Sequence, residues 1–386
     1  MSRTDDRSEL NPENTTPVEE ETTYQDRTTL KESPWLALKG FLMGTADIIP
    51  GVSGGTMALI TGIYDRLIYA IKSVDLRLFR ALLRFRIGEV FRLFHWRFVG
   101  VLLAGIFLAV LFFTQVVPLH IYMHTAPEIV YGLFFGLIAG SVFVLLNELD
   151  KGRRRVADLV ALAGGTAFGF MVVTLVPAET PNTFISVFLS GSIAFCAMIL
   201  PGISGSYILL ILGKYDYILG HLADLGSESV EAATALFPLF LGGAFGLALF
   251  SRVLTWLLRS WYTATMLVLI GFLIGSLYAI WPWQERVYVE EVVATEVLAE
   301  DDPKLLQLLR EPYDPRHPDA WRVVEKLPES GEVVIERVER KMVDSEPHLP
   351  SPGEPERTVY FWKGVGGMAA GLILVSGIDL LRRKES

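Results

Sequence analysis

One cysteine, Cys196, stands in 386 residues. That excludes an internal disulfide and a metal site built from cysteines, and its apolar neighbours make it a packing residue. The six histidines, His95, His120, His124, His221, His317 and His348, fall in expected loops, span ends or a polar insert, with no metal-ligand spacing among them. Also missing are a Gly-x-x-x-x-Gly-Lys-Ser/Thr phosphate loop and a dinucleotide fingerprint after a strand. No catalytic residue, metal or cofactor is therefore expected. The net charge of −9 is local, because Gln284 to Thr358 holds 19 Asp/Glu against 10 Lys/Arg and the remainder is formally neutral. Nothing in that balance calls for nucleic acid as a partner. Residues 1–34 lack the basic start, apolar stretch and cleavage site of a signal peptide, and read as a disordered cytoplasmic tail.

What the chain does have is long uncharged apolar runs. It is 51% hydrophobic with a mean hydropathy of +0.41, which places it among polytopic membrane proteins with the lipid bilayer as solvent. The first run is broken at Ile48-Ile49-Pro50-Gly51-Val52-Ser53-Gly54-Gly55-Thr56. About 150 residues later the break returns as Ile199-Leu200-Pro201-Gly202-Ile203-Ser204-Gly205-Ser206, and the match continues ungapped through Leu59/Leu210, Gly62/Gly213, Tyr64/Tyr215 and Asp65/Asp216. Proline removes a backbone donor and glycine permits a non-helical turn, so each copy is expected to be two short helices meeting at a bend.

The first hairpin is expected as Trp35 to Ile49 and Val52 to about Ile71. A basic amphipathic stretch from Lys72 to Arg97 then suits a helix lying on the membrane surface. Spans follow near Phe98 to Val117, Glu128 to Leu146 and Val156 to Val176. The second hairpin, Phe184 to Leu219, precedes spans near Ala235 to Leu249, Met266 to Trp281 and Val359 to Leu381. If both hairpins return to the side they entered, the cations of Lys72 to Arg97, Arg153 to Arg155, Arg252 with Arg259, and Arg382 to Lys384 all share one face, as the positive-inside rule asks of the cytoplasmic side. Both termini are then cytoplasmic, and the acidic insert at 284–358, with strand-like pieces at Val287 to Val293 and Glu332 to Val338 around a helix at Pro303 to Arg310, is outside.

Three crossings per half turn the second copy upside down. The expected fold is thus an all-α polytopic membrane protein, an inverted repeat of one re-entrant or broken-helix hairpin plus three transmembrane helices per half, with a small acidic extracytoplasmic insert. Its expected parts are the tail (1–34), the first membrane repeat (35–176), the second (184–283 and 359–381) and the insert (284–358). Two further matches, Gly136-x-x-x-Gly140-Ser141 with Gly271-x-x-x-Gly275-Ser276 and Gly165-x-x-x-Gly169 with Gly367-x-x-x-Gly371, suit close helix packing.

Two facing bends supply free backbone N–H groups and hydroxyls near the midplane, a setting for an anion such as phosphate. The candidate binding residues are Gly51, Ser53, Gly54, Gly55 and Thr56 with Gly202, Ser204, Gly205 and Ser206. The plainer alternative is that Pro-Gly only bends a helix and the serines satisfy freed backbone groups. Asp47, opposite Met198 in the repeat, either carries a proton or holds the bend by accepting backbone hydrogen bonds. Asp65 and Asp216 suit interfacial caps. Arg66 and Lys214 either attract a headgroup or snorkel to the interface. A small-anion transporter or channel shares such a site but needs an enclosed pathway, whereas a lipid needs a groove open sideways. An integral-membrane lipid phosphatase is disfavoured by the scattered histidines.

The run Gly44-Thr45-Ala46-Asp47-Ile48-Ile49-Pro50-Gly51-Val52-Ser53-Gly54-Gly55-Thr56, with Leu200-Pro201-Gly202-Ile203-Ser204-Gly205-Ser206, resembles the signature of the PopT-like polyprenyl-phosphate translocases, a prokaryotic membrane family formerly known as a domain of unknown function. The likeness covers about Trp35 to Trp283 and Val359 to Leu381. It implies that undecaprenyl phosphate, the spent lipid carrier of cell-envelope synthesis, is the partner, and that it is returned from the outer to the inner leaflet of the cytoplasmic membrane. The acidic insert departs from the compact family pattern. Neither oligomeric state nor coupling ion follows from the sequence.

Overall fold

Where proline and glycine interrupt the two apolar runs, the chain folds into triplets of helices. The computed structural model describes residues 28–385 except 50, 118, 150–155, 176–177, 179, 224–228, 300, 311–318, 327–331 and 350–354. Most of the expected tail, Pro50, the cationic loop at 150–155 and the loop prolines Pro118 and Pro177 lie outside the described residues.

The first triplet is α1 (Ser33–Asp47), α2 (Gly54–Ile60) and α3 (Tyr64–Lys72). Pro34 sits in the first turn of α1, where its missing N–H costs nothing. Ser53 is the N-cap of α2, with extended backbone and its Oγ accepting from the Gly55 N–H. The expected single arm from Val52 to Ile71 is two helices, because Gly62 takes φ 72° and ends α2. The expected surface helix is likewise divided, into α4 (Leu76–Leu83), capped by Asp75, and α5 (Ile87–Leu93). Leu82, Leu83, Phe85, Ile87 and Phe91 stand exposed along them.

Next come α6 (Trp96–Gln115), the short α7 (Leu119–Thr125) where a loop is expected, α8 (Pro127–Glu148) and α9 (Val156–Val173). The second triplet is α10 (Phe184–Ile199), α11 (Gly205–Ile211) and α12 (Tyr215–Ala223). Its members repeat the bounds of α2 and α3 at a constant offset, and the left-handed glycines recur in register, Gly51 (φ 86°) with Gly202 (φ 83°) and Gly62 with Gly213 (φ 63°). After it run α13 (Ser229–Ser260), α14 (Tyr262–Ser276), the insert and α16 (Pro355–Glu385), with α15 (Pro303–Arg310) inside the insert. Among the described residues, five helices are long and apolar enough to cross a membrane: α6, α8, α9, α13 and α16; α10 and α14 are shorter apolar helices.

The helices pair through glycines. Gly40 and Gly105 bring α1 onto α6, Gly191, Gly242 and Gly246 bring α10 onto α13, Gly132, Gly136, Gly367 and Gly371 bring α8 onto α16, and Gly165, Gly169, Gly271 and Gly275 bring α9 onto α14. In lipid there is no hydrophobic drive between helices, so close backbone approach supplies the dispersion energy that holds them. Both of the paired Gly-x-x-x-Gly matches lie in these contacts.

The insert carries strands over both strand-like pieces, a helix at Pro303–Arg310, and one further strand not expected from the sequence, Asp319–Lys326. It forms an antiparallel sheet of order β1-β3-β2, with β1 (Gln284–Leu298), β2 (Asp319–Lys326) and β3 (Val333–Pro347). Leu305 of α15 covers Val333 and Ile335, with Leu298, Leu308 and Trp321 around them. A tryptophan clasp ties the insert to the helices: Trp281 Nε1 donates to the His348 carbonyl at 3.0 Å, and Trp283 stacks on Phe361 at 5.2 Å.

A Cβ at Gly132 would lie 2.6 Å from the Gly364 carbonyl, whereas one at Gly164 meets nothing within 4 Å. Gly132→Leu is therefore expected to lower stability by about 1–3 kcal/mol, and Gly164→Leu to leave it unchanged. Thermal unfolding in detergent distinguishes the two.

Candidate functional site

Breaking a helix inside an apolar assembly strands backbone donors that water would otherwise satisfy. Here Asp47 and Ser53 meet that demand at the first break, and Thr56 of the first copy meets it at the second. The Gly54 N–H donates to Asp47 Oδ1 at 2.7 Å, and the Gly55 N–H to Ser53 Oγ at 3.1 Å. Asp47 thus holds the first bend from the end of α1. A Cβ at Gly54 would fall 2.5 Å from Asp47 Oδ2 and 2.8 Å from Oδ1, so any larger residue there must displace the carboxylate that holds the bend.

Two hydrogen bonds join the copies. Ser53 Oγ donates to the Leu200 carbonyl at 3.2 Å, and the Gly202 N–H donates to Thr56 Oγ1 at 2.9 Å. Gly55 lies against the end of α10, where a Cβ would meet the Ile199 carbonyl at 2.7 Å. All seven residues of α2 are buried, and Thr56 is wholly enclosed. The two turns sequence reasoning pairs are therefore in direct contact, through the hydroxyls of Ser53 and Thr56.

The copies differ in what they leave open. Ser204, the N-cap residue of α11, makes no capping bond; its hydroxyl lies 2.8 Å from that of Ser206. Ser206 is exposed, and Gly205 packs on α10, where a Cβ would lie 2.7 Å from the Ala194 carbonyl. Both turns rest on one stretch of chain: Gly202 against the Phe272 carbonyl and Gly51 against Ala279 and Ile280. Ser204 is itself buried, so Ser206 is the exposed member of the hydroxyl pair on this copy, and Asp47 is exposed on the other.

The two cations of the sequence reading are engaged elsewhere. Lys214 is fully buried, and its Nζ donates to the carbonyls of Thr180 and Pro181 at 2.6 and 3.0 Å and to Asn182 Oδ1 at 2.7 Å. It ties down the chain entering α10, with no donor turned to a ligand. Arg66 donates to Thr28 Oγ1 at 2.8 Å and lies over the Phe98 ring at 4.7 Å. Asp65, in the first turn of α3, lines a pocket of about 130 Å³ with Tyr69, Arg259 and Tyr262. Sequence reasoning missed the carbonyl of Leu200 and the Thr180 to Asn182 segment as partners. Three of the four acceptors are backbone carbonyls, which carry no side-chain signal, and the fourth is the Asn182 amide oxygen. Among the described residues, no group of three or more His, Cys, Asp or Glu is placed to hold a metal.

With this geometry in view, comparison with known proteins is specific. Residues 43–297 match the family described as undecaprenyl phosphate translocase-like. A polyprenyl-phosphate transporter of Vibrio cholerae serotype O1 is 38% identical over 249 residues, 64% of this chain and 77% of that one. A polyprenyl-phosphate transporter of Staphylococcus aureus is 32% identical over 265 residues, covering 66% and 88%. No solved structure matches the chain.

Removing the acceptor for a buried N–H costs about 1–3 kcal/mol. Asp47→Ala and Thr56→Val are each expected to lose that much in thermal unfolding, while Asp47→Asn, which keeps Oδ1, retains most of the stability. Equal loss in Asp47→Ala and Asp47→Asn would show that charge, not the bond to Gly54, is what the position supplies.

Proposed function

The chain belongs to the undecaprenyl phosphate translocase-like family, and from that premise we propose that it carries a polyprenyl phosphate from the outer to the inner leaflet of a prokaryotic cytoplasmic membrane, returning the spent carrier to cell-envelope synthesis. Family and relatives make it a transporter rather than an enzyme. The observation that carries the mechanistic reading is the direct joining of the two turns through Ser53 and Thr56.

In this reading Gly51, Ser53, Gly54, Gly55 and Thr56 build one wall of the headgroup site, and Gly202, Ser204, Gly205 and Ser206 the other. Ser53 and Thr56 act as the clasp. Ser206, which is exposed, faces the phosphate, and Ser204, buried behind it, turns its hydroxyl to the same oxygen, since the two hydroxyls are spent only on each other. A phosphate oxygen replacing that mutual bond accepts from both, a charge-assisted pair stronger than the neutral one it displaces. Asp47 shapes the wall by fixing Gly54. Lys214 and Arg66 have structural work and do not hold the headgroup.

The halves are proposed to be inverted, with re-entrant hairpins and both termini cytoplasmic. Reciprocal packing supports this: α1 on α6 answers α10 on α13, and the middle span of each half, α8 or α14, packs on the last span of the other, α16 or α9. At 1.5 Å per residue α2 is only about 10 Å long, too short to cross. Opposed halves around one site are suited to alternating access, the prenyl tail staying in lipid while the phosphate crosses. The insert, 284–358, then lies on the extracytoplasmic side.

The test is leaflet-to-leaflet movement of labelled undecaprenyl phosphate in vesicles. Two lost hydrogen bonds to an anion amount to about 1.5–3 kcal/mol each, so Ser204→Ala with Ser206→Ala is expected to slow movement at least tenfold with thermal stability kept. Wild-type rates in that variant would overturn the site. Uptake of inorganic phosphate or chloride without lipid movement would replace the lipid reading with small-anion transport.

A further inference from the structure

The two helix triplets repeat in sequence register, yet they pack differently across the molecule. Within each half the contacts recur: α1 on α6 answers α10 on α13, and Gly105 sits on Ala37 as Gly242 sits on Phe188. Each triplet is also tied to the chain that enters it, by Arg66 to Thr28 in the first and by Lys214 to Thr180, Pro181 and Asn182 in the second. Between the halves the match fails. Helix α3 packs on the last turns of α13, where Asp65, Ile68 and Tyr69 wall a pocket of about 130 Å³ with Thr255, Leu258 and Arg259. Arg259 Nε donates to the Tyr69 hydroxyl across this joint at 3.2 Å.

The glycine contacts locate the equivalent joint in the other half. Aligning Gly105 with Gly242 also aligns the contact of Gly44 on Ile106 with that of Phe195 on Gly243, and it brings Ile121 and Tyr122 of α7 to the places of Leu258 and Arg259. The ungapped match of the triplets brings Tyr215, Leu219 and Leu222 of α12 to the places of Tyr64, Ile68 and Ile71. Among the described residues, however, α12 makes no extended packing on α6 or α7. It leans on α13, with Tyr217 and Ile218 against the cluster of Val187, Leu236 and Leu239. Like residues therefore differ in burial: Tyr64 and Ile68 are 2% and 1% exposed, Tyr215 and Leu219 37% and 45%. In a duplicated fold, like faces closed in one copy and open in the other are the mark of one of two alternative packings.

We propose that the α3–α13 joint and its unformed counterpart, α12 on α7, are the two alternating gates of the translocase. The inference rests on the translocase reading and its inverted halves. On that topology the α3–α13 joint, with Arg259 among the cytoplasmic cations, closes the inner side, and the gap between α12 and α7 opens to the outer leaflet. The exposed Ser206 lies on α11, which leads into α12, so the headgroup site is reached through that gap. The partner state exchanges the joints. Helix α12 closes on α7 and buries Tyr215, Leu219 and Leu222, while α3 leaves α13 and Tyr69 parts from Arg259. The turns joined through Ser53 and Thr56 belong to both halves and stay together as the pivot. Gly220 and Tyr122 stand where the first joint has Tyr69 and Arg259, so the second joint lacks that polar bond. The empty protein thus rests open to the outer leaflet, and a bound headgroup shifts it.

Cysteine pairs test the exchange, since Cys196 is the single native cysteine. In a Cys196→Ala background, Ile68→Cys with Leu258→Cys reports the first joint and Leu219→Cys with Ile121→Cys the second. Oxidation in vesicles is expected to crosslink the first pair in resting protein, and the second at least threefold faster once undecaprenyl phosphate is added. Either crosslink is expected to slow movement of labelled undecaprenyl phosphate at least tenfold. Dithiothreitol should restore the rate, which separates a locked protein from a misfolded one. With all four cysteines, each molecule is expected to carry one crosslink and not both. Failure of the second pair to crosslink in transporting protein, wild-type rates with the first pair crosslinked, or both crosslinks in one molecule would overturn the gates and leave the translocase reading standing. Absence of movement in the wild type would instead overturn that reading, with the exclusion of one crosslink by the other still deciding the exchange. Where a cysteine variant misfolds, hydrogen exchange of the wild type decides: undecaprenyl phosphate should raise exchange in 64–72 and lower it in 215–223, and no change in either segment would overturn the gates.

Discussion

A broken backbone in hydrocarbon must find hydrogen-bond partners within the protein, and this constraint governs the structure. Each stranded N–H costs about 1–3 kcal/mol, and the described breaks place theirs on Asp47, Ser53 and Thr56. Because two bonds run from one turn to the other, the turns are mutual partners and neither stands alone. They cannot separate in lipid without leaving buried polar groups bare. A movement of one half against the other must carry both turns along or exchange their bonds for those of a ligand. A phosphate, rich in acceptors, answers the donors of such turns; an uncharged lipid does not.

The copies have diverged around this joint. Every residue of α2 is buried, and its first turn is closed by Asp47 and Ser53. In α11 only Gly205, Ile208 and Ile211 are buried, Ser204 does not cap, and Met198 stands where Asp47 would. The first copy has the character of a fixed wall, the second of a surface with a hydroxyl to offer at Ser206. The same asymmetry recurs in the cations, since Lys214, which stands where the first copy has Ile63, is folded onto the entry to α10. The duplicated helix triplets thus carry unequal turns.

Much of this was legible in the sequence because two kinds of pattern survive without tertiary context. Proline and glycine mark breaks, and uncharged runs mark spans, so the stretches near 98–117, 128–146 and 156–176 correspond to α6, α8 and α9. Legibility failed where the determinant was distant. The run from Ser229 to Ser260 is one helix even though Pro238 lies inside the apolar window, Ala235 to Leu249, and Arg252 and Arg259 lie beyond it. Strand β2, Asp-Ala-Trp-Arg-Val-Val-Glu-Lys, has no clean alternation and forms because β3 pairs with it. Helix α7 is too short and too uncharged to differ from a loop. At the site, residue types pointed to the turns, but which hydroxyl serves as clasp and which faces outward depends on the Leu200 carbonyl and the Gly202 N–H, groups that every sequence contains.

The central claim is that the joined turns are where the phosphate is held. The most direct measurement is an experimental structure of the protein in a lipid nanodisc containing undecaprenyl phosphate, at a resolution that shows the headgroup. The account predicts phosphate density within hydrogen-bond distance of the Ser204 and Ser206 hydroxyls, with their mutual 2.8 Å contact opened. Headgroup density bound elsewhere in the protein, with that serine pair still closed, would contradict it.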